Sequence, residues 1–307
     1  MNIIIQGAGA LGIYFGGRLM ESNHNVSYLV RSKRAQQLIE NGLKIQSTKG
    51  NFESSEVNVL KSPGAAGYAD LILLAIKGQH LEGALPALKT LVQQTGAPVL
   101  PLLNGMEHIE VLQAELGPEK VLGGLAYIIA TLDERGHVIH TSEQHDLYFG
   151  KLSENQNSIC KKMEDAFEGV NVNAKLHQNI HKQMWSKYMF ISAFSGITTA
   201  AGLPIGEIVK HKSTYRTAIK LLQEMKELAV KEGASITDEA VEKAAAQFRD
   251  LPVEGTSSMH QDLRKGQYLE VEHLHGGALR AAKKNHLSMP VTETIYGLIK
   301  PWENKGS

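Results

Sequence analysis

Residues 3–12 read Ile-Ile-Ile-Gln-Gly-Ala-Gly-Ala-Leu-Gly, so that Gly7, Gly9 and Gly12 follow an apolar strand and open a helix. Each glycine has its own use in holding a dinucleotide. Gly7 permits the tight turn, Gly9 lets backbone approach a pyrophosphate, and Gly12 lets helix and strand pack closely. The amides of the helix N-terminus, over Ala8, Ala10 and Leu11, supply aligned donors for the anion. Glycine-rich turns also have purely structural uses. Here the strand, the helix and a second strand fall in the order that dinucleotide binding needs.

The end of the second strand selects the dinucleotide. It reads Val30-Arg31-Ser32-Lys33-Arg34, with three cations, one hydroxyl and no acid. A carboxylate there would bind the ribose hydroxyls of NAD and repel a 2′-phosphate, whereas a guanidinium grips that phosphate with two hydrogen bonds. A basic first turn also opposes the helix dipole, so the pattern points to NADPH rather than to a merely solvated turn. Lys77, ending Leu-Ile-Leu-Leu-Ala-Ile-Lys, and Asn104, after Pro-Val-Leu-Pro-Leu-Leu, close two more strands towards the same crevice. A solvated loop lysine and an Asn-Gly turn are the structural alternatives.

Further chemistry lies downstream. Lys187 is the one cation in the run Met-Trp-Ser-Lys-Tyr-Met-Phe-Ile, residues 184–191. A lysine there either snorkels to the surface or is held in a cleft where its charge is useful. Partial desolvation would lower its pKa and let it donate a proton near neutrality. The stretch from Thr256 to Asp262 resembles a helix start, with Ser258 and Gln261 as a capping box. Gly266 fits a helix stop, and Glu270 falls in the first turn of the next helix, where a favourable dipole contact is its structural alternative.

The elements that must position these residues change character part-way along the chain. Up to about His177, short apolar strands alternate with amphipathic helices: strands at 2–6, 25–30, 71–76 and 98–103, and helices at 11–22 and 34–41. Residues 43–47 and 52–60 have hairpin-like β character, 121–132 and 138–149 read as further strands, a helix covers 159–167, and 170–176 ends the first domain. This alternation predicts a parallel sheet with helices on both sides. Beyond His177 the pattern is helical, over 180–200, 205–209, 215–232, 238–248, 258–265, 269–284 and 291–300. We therefore expect two domains, 1–177 and 178–307, without a Gly/Ser linker.

Composition narrows the function classes. Lys+Arg and Asp+Glu are equal at 32 each among 307 residues, so no global field recruits nucleic acid or an anionic membrane. The lone cysteine, Cys160, excludes an internal disulfide and, lying among lysines, is expected as an exposed surface thiol. No targeting signal precedes the first strand and no apolar run is long enough to span a bilayer, which suggests a cytoplasmic protein. His177 and His181 are spaced for one helix face, but no carboxylate or cysteine pattern joins them, and no metal site is expected.

The ordered set of motifs resembles the ketopantoate reductases (2-dehydropantoate 2-reductases) along essentially the whole chain. It comprises G-A-G-A-L-G at 7–12, Arg31, A-I-K ending at Lys77, L-L-N-G-M at 102–106, W-S-K at 185–187, and S-S-M-H-Q-D with Gly266 and Glu270. The resemblance implies an α/β fold, an N-terminal Rossmann-like doubly wound sheet followed by an all-α C-terminal domain, with the active site between them. Carried over, Gly7, Gly9, Gly12, Arg31, Lys77 and Asn104 would contact NADP(H). Lys187 would be the general acid for a 2-oxo acid substrate, Ser258 would hold that substrate, and Glu270 would position Lys187 or a substrate hydroxyl. The implied activity is reduction of ketopantoate to pantoate in pantothenate biosynthesis, and a homodimer is one arrangement compatible with the sequence.

Three positions depart from the family pattern. Where the family usually carries Asn four and eight residues after the catalytic lysine, this chain has Ile191 and Ser195, and Ile205 replaces a third Asn after Pro204. The two isoleucines, Ile191 and Ile205, remove donors and acceptors together. They motivate a second reading, a reductase of a less hydroxylated 2-oxo acid. A third, a non-catalytic NADPH-binding regulator, gives Lys187 and Glu270 no purpose.

Overall fold

The computed structural model describes residues 1–304, which cluster into two units. The first comprises 1–103 and 108–180; the second comprises 104–107 and 181 onward.

In the first unit, strands β1 (Asn2–Gln6), β2 (Asn25–Leu29), β5 (Asn58–Leu60), β6 (Leu71–Leu74) and β7 (Val99–Pro101) form a parallel sheet in the order β5-β2-β1-β6-β7. Ile3, Ile4 and Ile5 are all buried, as are Leu71 to Leu74. Such unbroken apolar runs belong to a sheet covered on both faces. The strand order places β1 between β2 and β6, so the loops leaving their carboxyl ends share one edge. Helix α1 (Ala10–Glu21) follows β1 from this edge, and α2 (Ser32–Asn41) follows β2.

A second sheet is centred on the long strand β9 (Val138–Gly150). It pairs antiparallel with β8 (Gly123–Leu132) and parallel with β3 (Leu43–Ser47) and β10 (Asn173–Leu176). β3 in turn pairs antiparallel with β4 (Phe52–Ser54). The expected strand over 52–60 is therefore two strands in two sheets. The polar break at Ser54-Ser55-Glu56 ends the hairpin, and β5 leaves to pair with β2.

Helices α3 (Leu81–Thr95) and α4 (Glu107–Leu116) complete the alternation; Pro86 inside α3 weakens its signal in the sequence. Helix α5 (Asn157–Phe167) corrects the reading of Cys160. Cys160, Met163 and Phe167 are its buried side chains, while Lys161 and Lys162 are exposed. Spacing of three and seven residues puts the thiol on the inward face, and burial pushes its pKa up.

The second unit is helical: α6 (Ile180–Ala201), α7 (Ile205–Lys210), α8 (Lys212–Lys231), α9 (Asp238–Asp250), α10 (Ser258–Arg264), α11 (Gly277–Lys284) and α12 (Pro290–Ile299). Its centre is α8, which buries Ala218, Leu221, Leu222, Met225, Leu228 and Ala229, one continuous stripe at helical spacing. The helix expected over 269–284 contains a π-helical turn, Glu272–Gly276, before α11. No helix among the described residues is long and apolar enough to cross a membrane.

Candidate active site

In the first unit the glycine loop leaves β1 as its spacing requires. Gly7 has φ +104°, in the region open to glycine, and an added Cβ would lie 2.6 Å from the Ala75 carbonyl oxygen. A Cβ on Gly12 would lie 2.0 Å from the Gly7 oxygen, so α1 sits directly on the turn. Gly9 differs from both. It is exposed, and an added Cβ would meet nothing within 4 Å. Gly9 is also the N-cap of α1, and no side chain caps that helix. Its first-turn amides and the open space at Gly9 fit a pyrophosphate.

The basic turn divides into an exposed part and a bonded part. Arg31 is the N-cap residue of α2 and is exposed, as are Ser32 and Lys33; the helix has no acid in its first turn. This suits a 2′-phosphate. Arg34, by contrast, is committed to the protein. Its Nε donates to the Ala8 carbonyl at 2.9 Å and its Nη2 to the Gly136 carbonyl at 2.8 Å, while Nη1 bonds Gln37. It braces the glycine loop against the β8–β9 turn. Lys77 follows β6, which ends at Leu74, and is exposed.

The remaining candidates gather in the second unit. Lys187, Ile191 and Ser195 recur at four-residue intervals along α6 and so share one of its faces. Lys187 is half-buried, Ile191 likewise, and Ser195 is buried. Desolvation pushes the Lys187 pKa down to about 8, partly opposed by the Glu270 carboxylate. The depression and its counterweight mark the two residues as electrostatic neighbours. Glu270 stands where the chain enters the helical stretch before α11, its carbonyl accepting the Leu274 amide at 3.0 Å.

Asn104, expected to serve the cofactor, clusters with this second unit. Ile205 is fully buried at the start of α7, its amide bonded to the Gly255 carbonyl at 2.8 Å. Ser258 requires a correction. The cap of α10 is Ser257, whose Oγ accepts the His260 amide at 3.1 Å and contacts the Thr198 hydroxyl at 2.9 Å. Ser258 is instead the first helical residue, and it is exposed. The capping box fails because the cap lies one residue earlier than the spacing to Gln261 suggests. His177 precedes α6, so it shares no helix face with His181.

With this geometry in place, comparison with known proteins is decisive. Residues 3–154 match the family described as ketopantoate reductase PanE/ApbA, and residues 179–303 match its C-terminal domain. The chain belongs to the ketopantoate reductase family. Membership makes it an NADP-dependent oxidoreductase acting on CH–OH groups. It is 36% identical over 303 residues to an uncharacterized oxidoreductase, YkpB, of Bacillus subtilis, covering 99% of each chain. It is 26% identical to the 2-dehydropantoate 2-reductase of Halobacterium salinarum, covering 100% of each. Among solved structures, the 2-dehydropantoate 2-reductase of Methylococcus capsulatus superposes with a TM-score of 0.86 at 26% identity, covering 100% of this chain and 98% of that one. The Rossmann-like sheet followed by an all-helical domain is the fold of this family.

Proposed function

We propose that this protein reduces 2-dehydropantoate (ketopantoate) to pantoate with NADPH, and that Lys187 is the proton donor. The observation that carries the reading is the half-buried Lys187, its pKa lowered to about 8 beside Glu270. Bound NADPH would supply a hydride to the carbonyl carbon of the 2-oxo acid. The Lys187 ammonium would give its proton to the ketone oxygen, leaving a neutral amine that solvent reprotonates. While still charged, the same ammonium would stabilise the developing alkoxide. A donor with a pKa near 8 is charged at neutral pH yet releases its proton at lower cost than an ordinary lysine. Ser258, exposed at the start of α10, would hold the substrate, and Glu270 would keep Lys187 charged and oriented. On the cofactor side, Gly7, Gly9, Gly12, Arg31, Lys77 and Asn104 would bind, orient and discriminate.

A second reading has its own observation. Ile191 and Ser195, on the Lys187 face of α6, and the buried Ile205 replace the family's amides. Ile191 and Ile205 carry no donors or acceptors, which favours a 2-oxo acid with fewer hydroxyls. Rates of NADPH oxidation with ketopantoate and with unhydroxylated 2-oxo acids separate the two. A site that hydrogen-bonds the substrate hydroxyl rejects analogues lacking it by ~10⁴–10⁵-fold in kcat/KM, whereas an apolar pocket discriminates by about 10². Strong preference for ketopantoate is the expected result under the first reading. A preference for plain 2-oxo acids moves the assignment to the second, and no turnover with any of them overturns both.

A further inference from the structure

The π-helical turn Glu272–Gly276 begins two residues after Glu270 and gathers the segments that carry Lys187 and Asn104. Tyr188, next to Lys187, donates its hydroxyl hydrogen to the Leu274 carbonyl at 2.5 Å. His275 Nε2 meets the Ser192 carbonyl of the same α6 at 2.9 Å. From the other side comes the chain around Asn104. Gly105, at φ +86°, approaches so closely that an added Cβ would lie 3.2 Å from the His273 carbonyl oxygen.

Two residues further on, Glu107 is gripped from α11. Arg280 Nε donates to Glu107 Oε1 at 2.6 Å and Nη2 to Oε2 at 2.8 Å. The remaining nitrogen, Nη1, bonds the Glu272 carboxylate, and Nη2 also reaches the Glu272 carbonyl at 3.2 Å. Glu272 is held in turn by Lys300 at 2.6 Å and by the Tyr296 hydroxyl at 2.8 Å. The Arg280 hydrogen bonds hold the Glu107 carboxyl below its ordinary pKa. Arg280 is 48% exposed, so these ion pairs add little to global stability. A guanidinium forked onto a carboxylate does fix direction and register, because two parallel bonds leave one geometry.

We propose that Glu107, Arg280 and Glu272 form a clamp that positions Asn104 in the frame of Lys187 and Glu270, holding a cofactor contact and the proton donor in one register. The proposal rests on the function above, in which Asn104 meets NADPH. Arg280 and Glu107 are positioning residues: neither need touch the cofactor or the substrate.

A double-mutant cycle on the full-length protein tests this, reading NADPH affinity, turnover and thermal stability for Arg280→Met, Asn104→Ala and the double variant. Arg280→Met is expected to weaken NADPH roughly tenfold, the size of a typical coupling between contacting residues, with little change in melting temperature. Adding Asn104→Ala in that background should then change affinity by less than about twofold, because Asn104 has already lost its place. Arg280→Lys should recover part of the loss. Glu107→Gln, which leaves the Arg280–Glu272 pair intact, should act in the same direction as Arg280→Met. Amide exchange over 104–107 should quicken in Arg280→Met while the rest of the helical unit keeps its protection. Effects that simply multiply, or an Arg280→Met protein with wild-type NADPH affinity, would overturn the clamp while leaving the reductase reading intact. A wild-type chain that does not bind NADPH would bring down that reading and the clamp together.

Discussion

Replacing Lys187 by alanine is expected to lower turnover by about 10²–10⁴-fold while leaving NADPH affinity almost unchanged, the range usual for losing a positioned general acid. The asymmetry follows from where Lys187 lies. It is on α6 of the helical unit, whereas the glycine loop, Arg31 and Lys77 belong to the other unit. In the proposed mechanism its charge would act on the reacting oxygen, where negative charge builds only as hydride arrives, so its loss would fall on the transition state. Rapid-mix kinetics and fluorescence titration of NADPH check the two halves separately. Unchanged turnover would remove Lys187 from the chemistry. Weakened NADPH binding with unchanged turnover would make it a cofactor ligand instead.

Replacing Arg31 by alanine is expected to weaken NADPH by roughly ten- to a hundredfold and NADH hardly at all. This is the loss of hydrogen bonds to a charged group, about 1.5–3 kcal/mol. Only the 2′-phosphate distinguishes the two cofactors, and under the proposed function the exposed Arg31 at the N-cap of α2 would bind it. Arg34→Ala is the informative contrast. Arg34 braces the Ala8 carbonyl of the glycine loop. Its loss should therefore weaken NADPH and NADH alike. Titration of both cofactors against both variants checks the pair. Equal weakening by Arg31→Ala would contradict its role at the phosphate.

Residues whose work is local are legible in the sequence alone. Gly7, Gly9 and Gly12 declare a turn between a strand and a helix through spacing, and the apolar runs at Ile3–Ile5 and Leu71–Leu74 declare a buried parallel sheet. Residues whose partners lie far along the chain are less so. Arg34 stands in the sequence as the third cation of the basic turn, yet its bonds go to Ala8 and, 102 residues away, to Gly136. Nothing local indicates that Phe52–Ser54 and Asn58–Leu60 join different sheets, because strand partners are chosen by tertiary packing. Cys160 misleads in a different way. Neighbouring lysines suggest exposure, although its spacing to Met163 and Phe167 carries the correct answer. The bond between Arg280 and Glu107, 173 residues apart, leaves no trace in either local pattern.

The central claim, that a desolvated Lys187 delivers the proton, is tested most directly by the pH dependence of turnover under saturating NADPH and 2-oxo acid. Lys187 is charged below its lowered pKa of about 8 and neutral above it. Turnover should therefore be level below that pH and fall about tenfold per unit above it, as expected for loss of one essential proton. Glu270 raises the Lys187 pKa, so Glu270→Gln should move the descending limb to lower pH. A wild-type profile that stays level up to the ordinary lysine pKa of about 10.4, with no shift in Glu270→Gln, would contradict the account.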